Sequence, residues 1–333
     1  MAWNAAVTEL GGSVLQSYEW GEFRRRGGWR PLRFLSRDGS LAAQILLKRL
    51  PGLGTLAYAP HGPLAADPED IPEAAATVAA HARRQGADLL EIEPRVPWAP
   101  GLKTQGFRRS PSSVQPRCTL VAPVLESDEA QLAALPKDAR YGIRRARHVG
   151  IEAETSTEIE RDIEDFVDLL EETARRQRFA VRPRAYYRRF VGELPAHLVL
   201  ARREGEQRPI AGAVVLVFED EAYYLYGASA AFEGKNLYAS YLVQLEALAV
   251  ARREGASRYD LWGIPCSPDR RHPLWGVYQF KKKFAGAQGR EERYAGAYKK
   301  HLTPLQSHLA RAGIMGYYTL QRLRRNSRGP MAD

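Results

Sequence analysis

Two six-residue segments, ARRQGA from Ala82 and ARREGA from Ala251, lie 169 residues apart, and the same offset links Ala42 to Ala211 and Leu56 to Leu225. One constant offset carried through three elements reads as two copies of a single supersecondary unit. Chemistry common to helix ends would explain one such match, not three. In the first copy the patterning predicts a short helix over 15–26, with Gln16, Trp20 and Arg24 four apart on one face. Strands follow over 29–36 and 41–49, joined by the turn Arg37-Asp38-Gly39. After a turn at Pro51-Gly52 come a strand over 55–59, a helix over 72–85 closed by Gly86, and a strand over 89–93. The second copy has strands over 198–203, 210–218 and 222–227, a helix over 237–254 closed by Gly255, and a strand over 258–262.

Between the copies lies a basic segment, 135–154, carrying Lys137, Arg140, Arg144, Arg145 and Arg147, then an acidic amphipathic helix over 159–176. The tail over 304–325 reads as helical and basic. The stretch 259–286, YDLWGIPCSPDRRHPLWGVYQFKKKFAG, opens as a strand, passes through a proline-rich loop, and becomes a helix from near Pro273 to Gly286. Val277, Phe280 and Phe284 share one face of that helix, with Lys281 at its rim and Lys282 and Lys283 turned to solvent. These residues alone fit a lysine pinned beside an aromatic anchor, and more readily a basic surface helix.

The order hairpin, strand, helix, strand is that of the acetyltransferase (GNAT) fold, of mixed α/β (α+β) class. Enzymes of that fold hold a coenzyme pyrophosphate on a Gln/Arg-x-x-Gly-x-Gly/Ala turn. The corresponding link here, GASAAFEGKNLYAS, has no such turn, and the partial matches at Arg83 and Arg252 fall at helix ends. The expectation is the fold without coenzyme A. No G-x-S-x-G or phosphate-loop motif occurs. His301 and His308 stand seven apart without an acidic or cysteine partner nearby, so no metal is expected. A net charge of +10 suggests an anionic partner, nucleic acid, a phosphorylated substrate or a membrane surface, or else only a basic surface. There is neither a membrane-spanning apolar run nor a signal-peptide pattern, and Cys118 and Cys266 show no C-x-x-C or metal spacing, so a reducing cytoplasmic setting is expected.

The segments LQSYEWGEF, LEIEPRV, LPKDARYGIRRARHVGIEAE, FAVRPRAYY, YYLYGAS, YLVQLEALAVARREGASRYDLWGI and VYQFKKKFAG occur in the order seen in the Fem family (FemABX type). The chain therefore resembles the peptidoglycan bridge-forming aminoacyltransferases over nearly its whole length. The resemblance implies two tandem GNAT-like domains, taken here as 1–135 plus 300–333 and 136–299, in the short FemX-type form with no coiled-coil arm. It implies transfer of an amino acid from aminoacyl-tRNA to the side-chain amine of a peptidoglycan precursor, lipid II or UDP-MurNAc-pentapeptide. No cofactor is implied. The protein would be a cytoplasmic monomer, with peripheral contact at the inner face of the membrane. Residue by residue, Arg182 and Tyr186 match a diphosphate clamp, and guanidinium and phenol are good phosphate donors. Tyr224 and Tyr226 match strand tyrosines near the muropeptide; alternation places both on one face. Arg24 resembles a lysine position, and Glu93 stands where the family has an aspartate. Lys281, after Phe280, matches the catalytic lysine. The basic run Lys137, Arg140, Arg144, Arg145 and Arg147 would meet the tRNA. Two other readings are a non-catalytic RNA-binding protein on a GNAT scaffold and an acyltransferase with another donor.

Overall fold

The computed structural model describes residues 2–51, 54–231 and 237–303 of the 333-residue chain. The expected helical tail over 304–325, His308, Gly52 and part of the GASAAFEGKNLYAS link lie outside the described residues. The first unit opens with α1 (Ala2–Glu9) and α2 (Tyr18–Arg26), then strands β1 (Arg30–Leu35), β2 (Leu41–Leu50), β3 (Gly54–Pro60) and β4 (Leu64–Ala65). Helix α3 (Ile71–Arg84) and strands β5 (Leu89–Glu93) and β6 (Arg108–Arg109) complete its N-terminal part. The expected helix over 15–26 is two pieces. A 3-10 turn, Val14–Gln16, ends at Ser17, whose Oγ accepts the Trp20 N–H at 3.1 Å and starts α2 afresh. Gln16 is thus not on the face of Trp20 and Arg24. It is buried, and its amide bonds Gln44 and Pro60 of β2 and β3.

The second unit holds β7 (Cys118–Pro123), α4 (Asp128–Ala134), α5 (Lys137–His148), β8 (Ile151–Thr155), α6 (Ile159–Gln177) and α7 (Arg184–Glu193). It continues with β9 (Ala196–Arg203), β10 (Ala211–Phe218), β11 (Glu221–Ser229), α8 (Ala239–Arg253), β12 (Arg258–Gly263), α9 (Trp275–Ala285) and β13 (Arg290–Arg293). Strand β14 (Tyr298–His301) returns to the first sheet, pairing with β5 and β6. The chain divides after Arg117 and again after Glu292, where the sequence reading placed the divisions after 135 and 299. The reason is sheet membership. β7 pairs with β12, and so draws the segment from Cys118 onward into the second unit.

Both units are tandem GNAT-like copies of α+β class. The first sheet runs β1-β2-β3-β5-β14-β6 and the second β13-β7-β12-β11-β10-β9-β8. The repeat is visible in the pairing. β2–β3 and β10–β11 are antiparallel; β3–β5 and β11–β12 are parallel. Each connecting helix ends alike. Ala87 N–H bonds Ala82 O at 3.0 Å and Ala256 N–H bonds Ala251 O at 2.9 Å, with Gly86 and Gly255 at φ +82° and +83°. The first core packs Ile71, Ala75, Val78 and Ala82 of α3 on Ile45, Leu90 and Ile92. The second packs Leu242, Leu245, Leu248 and Ala251 of α8 on Val199, Ala213, Val215 and Leu261. Among the described residues the longest helix is α6, with 19 residues, so no long coiled arm is present there.

Two departures from the regular repeat matter for function, and both lie in the second unit. In the first, β3 and β5 stay paired over five residue pairs, to Pro60 and Glu93. In the second, β11 and β12 pair only from Glu221/Arg258 to Tyr223/Asp260, although both strands run on. The register of β10 with β11 also slips between Val214 and Val215, leaving Leu225 as an extra residue. In addition, Cys118 and Cys266 are joined as a disulfide, 148 residues apart in sequence. A bonded pair stands where the sequence reading expected a reducing setting.

Candidate active site

The place where β11 and β12 part is occupied by a buried lysine. Helix α9 begins at Trp275 and turns Tyr278, Lys281, Phe284 and Ala285 inward, while Val277 and Phe280 are half-buried. Lys281 is therefore not at the rim of the apolar face; it is 7% exposed. Its Nζ donates to the Gly263 carbonyl at 2.7 Å and lies 5.9 Å from the centre of the Tyr224 ring. Loss of water lowers its pKa to about 8, and the negative charge of Asp260 partly opposes that fall. The neighbouring lysines have other fates. Lys282 is exposed, and Lys283 bonds Asp138 at 2.6 Å and the Tyr241 hydroxyl at 3.2 Å. Phe280 packs on Tyr241 and Phe284, with ring centres 5.6 and 5.1 Å away, and so braces the helix.

Sequence reasoning missed Asp260, Thr119 and Gly263. Asp260 is buried on β12, accepts the Thr119 hydroxyl, and accepts the Trp262 N–H at 2.7 Å. Trp262 has φ +64°, rare for a bulky side chain, and this turn directs the Gly263 carbonyl at Lys281. The available signal was an aspartate inside the apolar strand YDLW.

Arg182, Tyr186 and Tyr226 come together. The Arg182 guanidinium is exposed and lies 5.2 Å over the Tyr186 ring; the Tyr186 and Tyr226 hydroxyls are 3.1 Å apart. Tyr226 also packs edge-on against Tyr187 and Phe190 of α7, and burial pushes its pKa well up. The exposed Arg182 guanidinium, with whichever phenol is not donating to the other, can donate to several anionic oxygens. Tyr224 does not join them. It pairs with Val215, on the side covered by α8 and α9, whereas Tyr226 pairs with Val214, on the side covered by α6 and α7. The extra residue, Leu225, reverses the side on which the next side chain falls, so the expected shared face is not observed. Tyr224 instead stands beside Lys281, and burial pushes it up to about 12.

In the first unit, the Arg24 guanidinium lies 5.8 Å and 5.2 Å from the ring centres of Trp20 and Trp29. Glu93 is buried at the end of β5. It accepts the Tyr58 hydroxyl at 2.5 Å and the Val114 and Gln115 N–H groups at 2.5 and 3.1 Å. Burial, and then the charge of Glu91, raise its pKa to about 7. This carboxyl ends a strand and also holds the loop that follows β6.

Helix α5 buries Ala139, Gly142, Ile143 and Ala146, which leaves Lys137, Arg144, Arg145 and Arg147 exposed. Arg140 is half-buried and caps the Ala133 carbonyl at 3.1 Å. None of these five cations has a carboxylate partner among the described residues, in contrast to Arg184 with Asp168 and Glu171, or Arg202 with Asp162. No cluster of three or more His, Cys, Asp or Glu with metal-binding geometry occurs among the described residues, and no described helix is long and apolar enough to cross a membrane.

Residues 98–202 and 199–312 match the FemAB family. The chain is 23% identical over 356 residues to a lipid II:glycine glycyltransferase of Staphylococcus haemolyticus (strain JCSC1435), covering 81% of this chain and 84% of that protein. It is also 23% identical, over 358 residues and with the same coverage, to the protein of that name from Staphylococcus aureus (strain MRSA252). Among solved structures it resembles that of FemX, with a TM-score of 0.75 and 22% identity over 90% of this chain and 95% of that one. It resembles L-PGS from Bacillus licheniformis less well, with a TM-score of 0.57 and 13% identity over 92% and 94% of the two chains. At such identities the structural likenesses describe the fold. The family match takes in α5, the Arg182–Tyr186 segment, both strand tyrosines and Lys281, and on its extent the chain belongs to the FemAB family.

Proposed function

We propose that this protein is an aminoacyltransferase of peptidoglycan assembly. It takes an amino acid from aminoacyl-tRNA and joins it to the side-chain amine of a precursor, lipid II or UDP-MurNAc-pentapeptide, so extending an interpeptide bridge. The observation that carries this reading is Lys281, an ammonium held out of water where two parallel strands part. The curated relatives are named for glycyl transfer with lipid II, which supports a muropeptide acceptor.

The donor ester is already activated, so the reaction needs neither coenzyme A nor a metal. The acceptor amine attacks the ester carbonyl; a C–N bond forms, the C–O bond to the ribose breaks, and the amine's proton ends on the ribose oxygen. Negative charge gathers on the carbonyl oxygen between these events. A fixed cation in a low-dielectric site stabilises that charge far better than water-exposed lysine would. Asp260, pinned by Thr119 and the Trp262 amide, favours the protonated form of Lys281. Arg182, Tyr186 and Tyr226 would hold the precursor diphosphate, and α5 the tRNA backbone. The enzyme would work as a cytoplasmic monomer, touching the inner membrane face when its acceptor is lipid-linked; there the Cys118–Cys266 bond would have to resist reduction by cellular thiols.

The test is transfer of a radiolabelled amino acid from a mixture of charged tRNAs to each acceptor. The expected product is a precursor one residue longer, formed only with intact aminoacyl-tRNA. Tight tRNA binding with no transfer to either acceptor would replace this reading with that of an RNA-binding protein.

A further inference from the structure

In the first unit, the segment after β6 closes against the residue before β14 through two hydrogen bonds: Ser110 N–H to the Ala297 carbonyl at 2.8 Å, and Ala297 N–H to Ser113 Oγ at 3.1 Å. Between them is a cavity of about 350 Å3, lined by Arg109, Ser110, Ser113, Arg117 and the Gly296–Ala297 backbone. Its lining contains two guanidiniums and two hydroxyls but no carboxylate. Neither Arg109 nor Arg117 makes a side-chain hydrogen bond or ion pair among the described residues. Arg117 Nε and Ser110 Oγ are out of contact with water and have no hydrogen-bond partner. Buried donors of this kind are normally satisfied, and a buried guanidinium normally has a counter-ion.

The geometry of Arg117 is also fixed. Gly296 has φ +85°, and a Cβ there would lie 3.0 Å from Arg117 Nε and 3.2 Å from Ser113 Oγ. The guanidinium thus rests on bare backbone, which only glycine permits at that φ. Loss of water, and then the charges of Arg109 and Arg293, hold Arg117 below the usual range of arginine, with Tyr298 partly opposing that fall. Arg117 is half-buried with its Nε out of water and Arg109 is exposed, and planar guanidinium forks so placed suit a tetrahedral oxyanion with several acceptor oxygens.

We propose that this pocket binds a phosphate group, held by the guanidiniums of Arg109 and Arg117 and the hydroxyls of Ser110 and Ser113. Two positive charges match a phosphate dianion better than a single carboxylate. The phosphate can be free or part of a nucleoside diphosphate. The site is separate from the proposed Arg182 clamp and does not depend on the transfer reaction.

Calorimetric titration of the full chain at constant ionic strength tests it, with inorganic phosphate, pyrophosphate and UDP-N-acetylglucosamine as probes. Pyrophosphate should bind, and Arg117→Gln or Arg109→Gln should each weaken it about tenfold or more, the scale of a lost hydrogen bond to a charged group. Arg117→Lys should restore only part of the affinity, because the charge returns without the fork. Every titration is read in an Arg182→Ala background, which removes the proposed diphosphate clamp and leaves this pocket as the site measured. Binding of UDP-N-acetylglucosamine with the same dependence on Arg117 points to a nucleotide source; binding of the inorganic anions alone points to free phosphate. Thermal melting guards against misfolded variants, since Arg117→Gln removes an unneutralised charge and should melt no lower than the parent without anion. Absence of binding by all three probes at millimolar concentration, or affinities unchanged in both Gln variants, overturns the proposal.

Discussion

Lys281, Lys282 and Lys283 are one residue type in three environments, so they separate a site cation from a basic surface. A cation that acts as charge develops on the carbonyl oxygen affects turnover more than binding. Lys281→Met is expected to lower kcat by about 10²–10³, as removal of one oxyanion donor does. Lys282→Met, at an exposed position, should change tRNA affinity by a few-fold at most. Equal losses of kcat in the two variants would make the lysines a diffuse patch. The same burial has a signature in stability. The unfolded lysine titrates near 10.5 and the folded one near 8, so between these values the unfolded chain holds a proton that the native state has lost. Stability from this group therefore rises with pH from about 8 to 10.5, and its burial cost is fully present below 8. Comparing urea unfolding of the parent and Lys281→Met cancels every other titration. Their difference should move in favour of the parent by roughly 2–3 kcal/mol between pH 7 and 10.5. Parallel pH profiles would mean that Lys281 is solvated.

At the scale of elements, the sequence reading took 135–154 only as a basic segment; it holds α5 and β8, and the buried set of α5, Ala139, Gly142, Ile143 and Ala146, leaves its arginines the outward positions. If these cations meet RNA phosphates, log K for tRNA should fall steeply with log salt. Arg144→Glu with Arg145→Glu should flatten that slope by roughly two units, measured by filter binding across a salt series. An unchanged slope would leave α5 a solvated surface. Within the two copies the order of strands and helices was legible, because helix-end chemistry at Gly86 and Gly255 and the constant offset are local signals. What was not legible depended on partners distant in sequence. The side taken by Tyr226 follows from an extra residue at Leu225, and nothing in YYLYGAS marks it; only pairing with β10 does. The inward turn of Lys281 could not be read from apolar spacing, which favours Val277 and Phe280 for burial; it needs the Gly263 carbonyl, 18 residues away. The split of the first helix at Ser17 had a local signal, a serine able to cap Trp20, which the four-residue spacing of Gln16, Trp20 and Arg24 obscured.

Over the whole molecule, one duplicated unit has been put to two uses. The first copy keeps its parallel strands paired to the end and closes on Glu93, whose carboxyl is spent on Tyr58 and a neighbouring loop. The second copy opens its strands after Tyr223 and Asp260, which leaves the Gly263 carbonyl for Lys281. The open copy also carries the covalent link. Cys118, on β7, is joined to Cys266, three residues beyond Gly263, and the Ile264 N–H bonds the Cys118 carbonyl at 2.9 Å. The link closes a chain segment of 148 residues that contains α4 to α8 and β8 to β12. Loop-closure entropy for so long a segment amounts to about 5 kcal/mol at most, and native-state strain reduces what is realised. The two units have separate cores, so this stabilisation belongs to the second. Hydrogen exchange followed with and without reductant should show faster exchange of β10, β11 and β12 amides after reduction, while β2 and β3 amides keep their rates. Cys266→Ser should reproduce the reduced pattern without reductant. If β2 and β3 lose protection to the same extent, the two units unfold as one cooperative body and the link stabilises both.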